Sequence, residues 1–102
     1  MRIDKFLWAV RLYKTRSMAT NAIKSDKIKV NGESIKPSRK VEMGDEVEIF
    51  KAPIWRTYRV KEIIEQRVSA AIAQPCIEEI TSEQELNKLE EYLEEKRFYL
   101  SR

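Results

Sequence analysis

The first apolar residues of the chain recur with the spacing of a helix. They stand at i, i+3, i+4 and i+7 and so line one face of an amphipathic helix: Ile3, Phe6, Leu7 and Val10. This spacing predicts a helix over residues 3–12. Trp8 and Leu12 lie at the margin of the stripe, where we expect a small apolar patch that the segment after residue 53 covers.

A second short helix is predicted soon after the first. Ser17 is its expected N-cap, because a serine hydroxyl can accept a hydrogen bond from a free backbone N–H of the first turn. Ala19, Ala22 and Ile23 then give the helix a buried side with small residues that permit close packing. We expect it to end near Asp26, since Asp tolerates the left-handed conformation better than most residues other than Gly.

The pattern then changes to the period of two that is typical of a strand, because residues 28–30 alternate between apolar and basic side chains. Asn31 and Gly32 follow as the favoured dipeptide for a tight two-residue turn, since both take positive φ at low cost. Gly44 marks a second turn, which precedes a predicted strand over residues 47–50.

The second half of the chain is predicted to extend this sheet and to end in a helix. Residues 56–64 alternate weakly and indicate another strand, whereas residues 67–80 fit either a short helix or irregular structure. Ser82 and Glu85 match a capping box, and leucines follow at helical spacing, which predicts a helix over residues 83–97. We interpret its acidic residues as a solvated face and its leucines as an ordinary core stripe.

Composition argues against most catalytic and metal sites. The 102 residues include no histidine, which removes His-based triads and His-ligated metals, and only one cysteine, Cys76. A lone cysteine forms no internal disulfide, and we interpret Cys76 as a small core residue. The chain has no apolar run long enough for a membrane span, and charges interrupt its N-terminal apolar segment. We therefore expect a cytoplasmic, non-enzymatic protein with one small core, no cofactor and no metal.

Charge is distributed unevenly along the chain. Residues 1–61 hold 15 Lys or Arg and 7 Asp or Glu, a balance of +8, whereas residues 62–102 hold 5 and 10, a balance of −5; together they give the formal net charge of +3. Concentrated positive charge attracts polyanions, either nucleic acid or an anionic membrane surface. Because predicted helices and turns hold these cations at fixed spacing, we favour the phosphates of a folded RNA.

The basic half also resembles a known RNA-binding domain. The residues that carry the resemblance are Arg2-Ile3-Asp4, Thr15-Arg16-Ser17 with Ala19 and Ile23, Lys29-Val30-Asn31-Gly32, and Val41 followed by Gly44-Asp45. Over residues 2–50 they resemble the domain named after ribosomal small-subunit protein four (the S-four, or S4, domain). Asp26 departs from the family pattern, which usually has a glycine there. The resemblance implies an α+β fold of the alpha-L type, with two short helices packed on a small β-sheet.

On this basis residues 1–52 are expected to form the RNA-binding domain, and residues 53–102 a C-terminal extension of strand and helix packed on the same core. The N-terminal segment, "KPSRK" and "RTYRVKEIIEQRVSAAIA" are similar to the bacterial heat-shock protein fifteen group. That resemblance implies binding to ribosomal RNA of the large subunit, on stalled subunits that carry nascent chain-tRNA, in heat-shock-related ribosome quality control. It implies ribosomal RNA and tRNA as partners. We expect no membrane, no small-molecule substrate, and a monomer away from the ribosome.

The candidate RNA-binding residues are side chains of the basic half: Arg2, Asp4, Lys5, Arg11, Lys14, Thr15, Arg16, Ser17, Lys29, Asn31, Lys36, Ser38, Arg39 and Lys40. Arg16 is the first choice, because a guanidinium can hold a phosphate with two parallel hydrogen bonds beside the start of a helix. Its alternative role is an ion pair with Asp4 or Asp26. Trp8 either stacks on a base or packs under the extension, and we favour packing.

A function of a different class is also open. In this alternative the protein is an adaptor whose acidic terminal helix docks a partner protein, while the basic half gives only weak electrostatic affinity for RNA. An RNA-modifying enzyme is the least favoured interpretation, because the 52 residues outside the resemblance cannot supply a catalytic domain.

Overall fold

The structure, a computed structural model, describes residues 1–100. Its elements in chain order are α1 (Ile3–Ala9), α2 (Arg16–Lys24), β1 (Ile28–Val30), β2 (Glu33–Ser34), β3 (Glu46–Lys51), β4 (Ile54–Val60), α3 (Ala70–Ala73), β5 (Ile77–Glu79) and α4 (Glu83–Leu100). A short 3-10 turn, Gln74–Cys76, joins α3 to β5. The predicted α+β class is confirmed.

The strands form one antiparallel sheet in the order β2-β1-β3-β4-β5. Asn31 (φ 53°) and Gly32 (φ 82°) make the tight turn between β1 and β2, as predicted from their dipeptide. β3 and β4 pair from Glu46 opposite Arg59 to Lys51 opposite Ile54. The sheet therefore continues from the basic half into the segment after residue 53. The strand predicted there over residues 56–64 is present, but it begins at Ile54 and ends at Val60.

Helix α1 lies at the centre of the core and is buried on almost every side. Ile3, Phe6, Leu7 and Ala9 are fully buried. The helix ends at Ala9, three residues before its predicted end, because Arg11 has a left-handed φ of 66°. Apolar residues of α2 and of the sheet pack against it, and Cys76 is buried in the same core as expected.

Helix α2 begins two residues earlier than its predicted N-cap implied. Thr15, not Ser17, is the N-cap, since its hydroxyl accepts from the Met18 N–H at 3.1 Å. Thr15 has extended backbone angles and Arg16 is the first helical residue, so Ser17 already lies inside the first turn. The predicted end is confirmed, because Asp26 takes the left-handed conformation with φ 59°.

A residue of the C-terminal half holds the connection between α1 and α2. The Arg67 guanidinium lies 5.5 Å from the centre of the Trp8 ring, and its Nη1 donates to the carbonyls of Tyr13 (3.4 Å) and Lys14 (2.9 Å). Arg11 adds a hydrogen bond to the Val68 carbonyl at 3.3 Å. The expectation that the extension covers Trp8 is therefore confirmed, and packing is the role the structure gives this ring.

Helix α4 departs from its predicted packing. Ser82 Oγ caps the Glu85 N–H at 3.2 Å, but the Glu85 carboxylate accepts from the Trp55 N–H instead of closing the capping box. The predicted core stripe is wrong: α4 has no buried residue, and Leu86 and Leu93 are each 43% exposed. The Glu85 bond joins α4 to β4, and from residue 90 onward every described residue is exposed. Within residues 1–100, no helix combines the length and apolar character that a membrane crossing requires.

We predict that Arg67→Ala lowers the free energy of unfolding by about 1–2 kcal/mol, because it removes a cation–π contact and two hydrogen bonds. Urea denaturation followed by Trp8 fluorescence, in a Trp55→Phe background, measures the change. Arg67→Lys restores the charge over the ring without the forked hydrogen bonds, so it should recover part of the loss. An alanine variant as stable as its parent would contradict this role.

Candidate nucleic-acid interface

A buried carboxylate organises the side chains between α1 and α2. Asp4 is 1% exposed, and its two oxygens accept from Arg2 Nε (3.2 Å) and Arg2 Nη2 (3.1 Å). Thr20 Oγ1 donates to the same group at 3.0 Å, and the Lys5 N–H at 2.8 Å. Arg16 Nη2 lies 3.5 Å from Asp4 Oδ1. We call these five residues the Asp4 cluster.

The Asp4 carboxylate is ionised at neutral pH. Burial alone would raise its pKa, but hydrogen bonds from Arg2, Thr20 and the Lys5 N–H, together with the charge of Arg16, hold the pKa below its ordinary value. The two guanidiniums stay accessible, with side chains 50% exposed for Arg2 and 45% for Arg16. One buried anion therefore positions two cations that still face solvent.

The structure shows the ion-pair role of Arg16 and leaves its side chain accessible to a ligand. The ion pair with Asp4 is present, but it is a single contact at 3.5 Å, whereas Arg2 makes the two-pronged contact. Because Thr15 is the N-cap, Arg16 occupies the first turn of α2, where the helix dipole also favours an anion. The remaining donors of its guanidinium can bind a phosphate.

A second buried carboxylate organises the loop after β2. Asp45 is 5% exposed and accepts from Arg39 Nη1 (2.8 Å), the Glu42 N–H (2.9 Å) and Asn31 Nδ2 (3.2 Å). Burial would raise the pKa of Asp45, but these hydrogen bonds hold it below its ordinary value. Asn31 also accepts from the Glu46 N–H at 3.0 Å. Asn31 and Arg39 thus fix the loop, and the Arg39 side chain remains 30% exposed.

Backbone contacts bring this loop beside the start of α1. The Ile3 N–H donates to the Arg39 carbonyl at 2.7 Å, and Arg2 forms an isolated antiparallel bridge with Lys40. Lys36 and Ser38 belong to the turn that the Arg39 N–H closes on the Lys36 carbonyl at 3.0 Å. The cations gathered around α1, the start of α2 and this turn form what we call the basic surface: Arg2, Lys5, Lys14, Arg16, Lys36, Arg39 and Lys40. Among residues 1–100, its four lysines have no acidic partner.

Other predicted site residues lie elsewhere or act indirectly. Lys29 is on the outer face of the sheet, with Nζ 5.3 Å from the centre of the Trp55 ring. Arg11 points to the extension, and the Thr15 hydroxyl is engaged in capping. Ser17 is exposed next to Arg16. Asp4 belongs to the site as a buried positioning group, since it is too buried to meet RNA directly.

Sequence reasoning missed three residues that position the site. Thr20 lies four residues after Arg16 and so on the same side of α2, a spacing that could have indicated its contact with Asp4. Asp45 directly follows the turn glycine Gly44, but its burial has no signal in the sequence. The role of Arg67 also has no signal in the sequence, because its partners are backbone carbonyls more than fifty residues away. In the described part of the chain, no group of three or more Cys, Asp or Glu could hold a metal ion.

Comparison with known proteins identifies a matching domain family and similar bacterial proteins. Residues 1–47 match the family model described as the S4 domain. Over 98 residues the chain is 42% identical to a heat shock protein 15 homolog from Aeromonas salmonicida, covering 96% of this chain and 73% of the relative. It is also 37% identical to the RQC P-site tRNA stabilizing factor of Listeria innocua over 65 residues, or 64% of this chain and 71% of that one.

A solved structure shares the fold. Heat shock protein 15 from Vibrio cholerae, described as trimeric, matches with a TM-score of 0.78 and 36% identity over 90% of this chain and 91% of that chain. Heat shock protein 15 from Escherichia coli is 42% identical, but the match covers 78% of this chain and only 59% of that protein. The similarity to that protein is thus limited to part of its length.

We predict that acid weakens the fold through the two buried carboxylates. Both have a pKa below the ordinary 3.8 when folded, so the unfolded chain binds their protons more tightly. The stability they contribute is present above about pH 5 and is lost as pH falls through 3.8 toward the lower folded pKa. Urea unfolding between pH 7 and about pH 2.5 should show this decline.

Asp4→Asn tests the contribution of one of the two buried carboxylates separately. It should lower the free energy of unfolding at pH 7 by about 1.5–3 kcal/mol, because charged hydrogen bonds are lost, and it should make the decline with acid shallower. Glu33→Gln, at an exposed acid of β2, is the matched control and should change neither quantity. If Asp4→Asn keeps the full pH dependence of the parent, the carboxylate does not carry the proposed charge.

Proposed function

The chain belongs to the heat shock protein 15 family and carries an S4 domain, and on this premise we propose that it is a non-catalytic RNA-binding protein of ribosome quality control. Its ligand in this proposal is ribosomal RNA of the large subunit, bound by the basic surface. The observation that carries the proposal is the Asp4 cluster, in which one buried carboxylate positions two half-exposed guanidiniums. Such a protein works by binding and needs no catalytic group.

Phosphate binding follows from the chemistry of this surface. A guanidinium offers several donors in a fixed plane, and Asp4 has already restricted the rotamers of Arg2 and Arg16. Less side-chain entropy is therefore lost when RNA binds. The unpaired lysines add point charges that displace counterions from the RNA backbone. Because the cations have fixed spacing, the surface discriminates by RNA shape more than by base sequence.

The proposal extends to tRNA on stalled large subunits in the cytoplasm. The Listeria innocua relative is named for stabilising P-site tRNA, and this supports the same class of ligand here. We further propose a monomer away from the ribosome, since every residue of the basic surface comes from one chain. The trimer described for the Vibrio cholerae relative is the alternative state, and analytical ultracentrifugation distinguishes the two.

A second candidate function rests on α4. Leu86, Tyr92 and Leu93 are 43–44% exposed, and Leu100 is 76% exposed, on a helix that also carries six glutamates. Contiguous apolar surface that is exposed can mark a contact with a protein partner. In this alternative the protein is an adaptor: α4 docks a basic partner protein, and RNA affinity is only electrostatic.

We predict that Arg16→Ala weakens binding to purified large ribosomal subunits by about 1.5–3 kcal/mol at physiological salt, because charged hydrogen bonds to phosphate are lost. The thermal melt should change little, because the Asp4 carboxylate keeps its hydrogen bonds from Arg2, Thr20 and the Lys5 N–H. Arg16→Lys should recover only part of the affinity, because the charge returns without the fork. Co-sedimentation through a sucrose gradient measures the binding.

Arg97→Ala is the matched control, since it removes an exposed arginine from α4. It should leave subunit binding unchanged. If Arg16→Ala binds like wild type while Leu93→Asp releases the protein from subunits, the adaptor function is correct and RNA binding by the basic surface is not.

A further inference from the structure

An open groove of about 320 Å³ runs along the side of α2 that faces away from Asp4. Its lining includes Tyr13, Met18, Asn21, Ser25, Lys27 and Phe50, and we call it the Tyr13 groove. Its volume is at the lower end of the range for small-ligand sites, roughly 300–1,000 Å³. None of these six residues belongs to the basic surface that is proposed to bind RNA.

The walls of the groove are suited to a flat ring. Tyr13 and Phe50 are half-buried, and the Phe50 ring is held against Trp55 with a centroid distance of 5.3 Å. Met18 is 50% exposed and presents a polarizable thioether. Aromatic rings stack with any base, because every base has a π-face. A planar ligand can therefore be held between rigid rings and one adaptable side chain.

The polar groups of the groove are unused by the protein. Within residues 1–100, the Asn21 amide, the Ser25 hydroxyl and the Lys27 ammonium make no side-chain hydrogen bond or ion pair. An amide offers a donor and an acceptor side by side, which matches the edge of a nucleobase. Burial, with a smaller effect of Tyr58, raises the pKa of Tyr13 to about 12, so its hydroxyl stays a donor at neutral pH. No acidic residue lines the groove.

The groove and Arg16 lie on opposite sides of one exposed helix crest. At 100° per residue, Ser17, Asn21 and Lys24 form this crest, with Arg16 on one flank and Met18 on the other, and Asn21 borders the groove. All three crest residues are exposed. A nucleic-acid strand whose phosphate contacts Arg16 can therefore cross the crest, and its next nucleotide can reach the groove.

We propose that the Tyr13 groove binds one unpaired base of the RNA whose phosphate contacts Arg16. This inference rests on the proposed function and deepens it, since it adds a contact to a base beside contacts to the backbone. RNA without an unpaired base at that position loses the groove contact and keeps the phosphate contacts. Arg67 supports the arrangement by fixing the backbone of Tyr13 and Lys14 between the two sites.

The methionine methyl groups give a direct test. Labelling with [methyl-13C]methionine gives signals for Met1, Met18 and Met43, and Met43 is a built-in control because it is 64% exposed and lies outside the groove. The labelled protein is titrated with a single-stranded RNA heptamer and, separately, with a blunt-ended RNA duplex, which has no unpaired base and should leave the Met18 signal in place. The heptamer should shift the Met18 signal upfield through base ring currents, and by more than it shifts the signal of Met43, which lies in the loop of Arg39. Equal shifts of both signals, or no shift of Met18, would overturn the proposal.

Substitution separates this inference from the proposed function. Met18→Ala and Asn21→Ala should each weaken binding to large subunits by about five- to twentyfold, within the range for loss of a base contact. Ile72→Ala, at an exposed apolar residue of α3 outside the groove, is the matched control and should have no effect. If Arg16→Ala weakens binding but neither groove variant does, the groove is not a base site and the proposed function stands. If the wild-type protein fails to bind subunits, both fail together.

Discussion

The structure depends first on the burial of a negative charge at Asp4. A carboxylate that is 1% exposed is tolerated only when its oxygens are hydrogen-bonded, and here donors come from the segment before α1, from α1 itself and from α2. This requirement fixes the two helices relative to each other. It also determines where Arg2 and Arg16 lie, because both must remain beside the anion that they neutralise.

Asp45 repeats the arrangement in the loop after β2. Its partners Asn31 and Arg39 hold the tight turn and the loop together, and the Arg39 carbonyl accepts from the first residue of α1. The two buried carboxylates therefore join the helical and sheet parts of the basic half. A small protein with two buried anions can thus present fixed cations without a large core. This physical arrangement connects the sequence of the first half to RNA binding.

Much of the secondary structure followed from local patterns, whereas several site details did not. The spacing of Ile3 and Phe6 and the Asn31-Gly32 dipeptide are local signals, and each gave a confirmed element. Thr and Ser are both favoured at the N-cap, so residue preferences alone do not distinguish Thr15 from Ser17. The cap forms at Thr15, where the backbone is extended. The leucines of α4 have helical spacing, but spacing cannot tell whether a partner surface lies within reach. Arg67 acts through distant carbonyls, which no sequence pattern reports.

Lysine reactivity measures most directly whether RNA occupies the basic surface. Brief acetylation of the protein, free and bound to large ribosomal subunits, followed by mass spectrometry gives the protection of each lysine. Binding as proposed protects Lys5, Lys14, Lys36 and Lys40 and leaves Lys51, Lys88 and Lys96 as reactive as in the free protein. Protection of Lys88 and Lys96 on α4, with the four lysines of the basic surface unprotected, would contradict it.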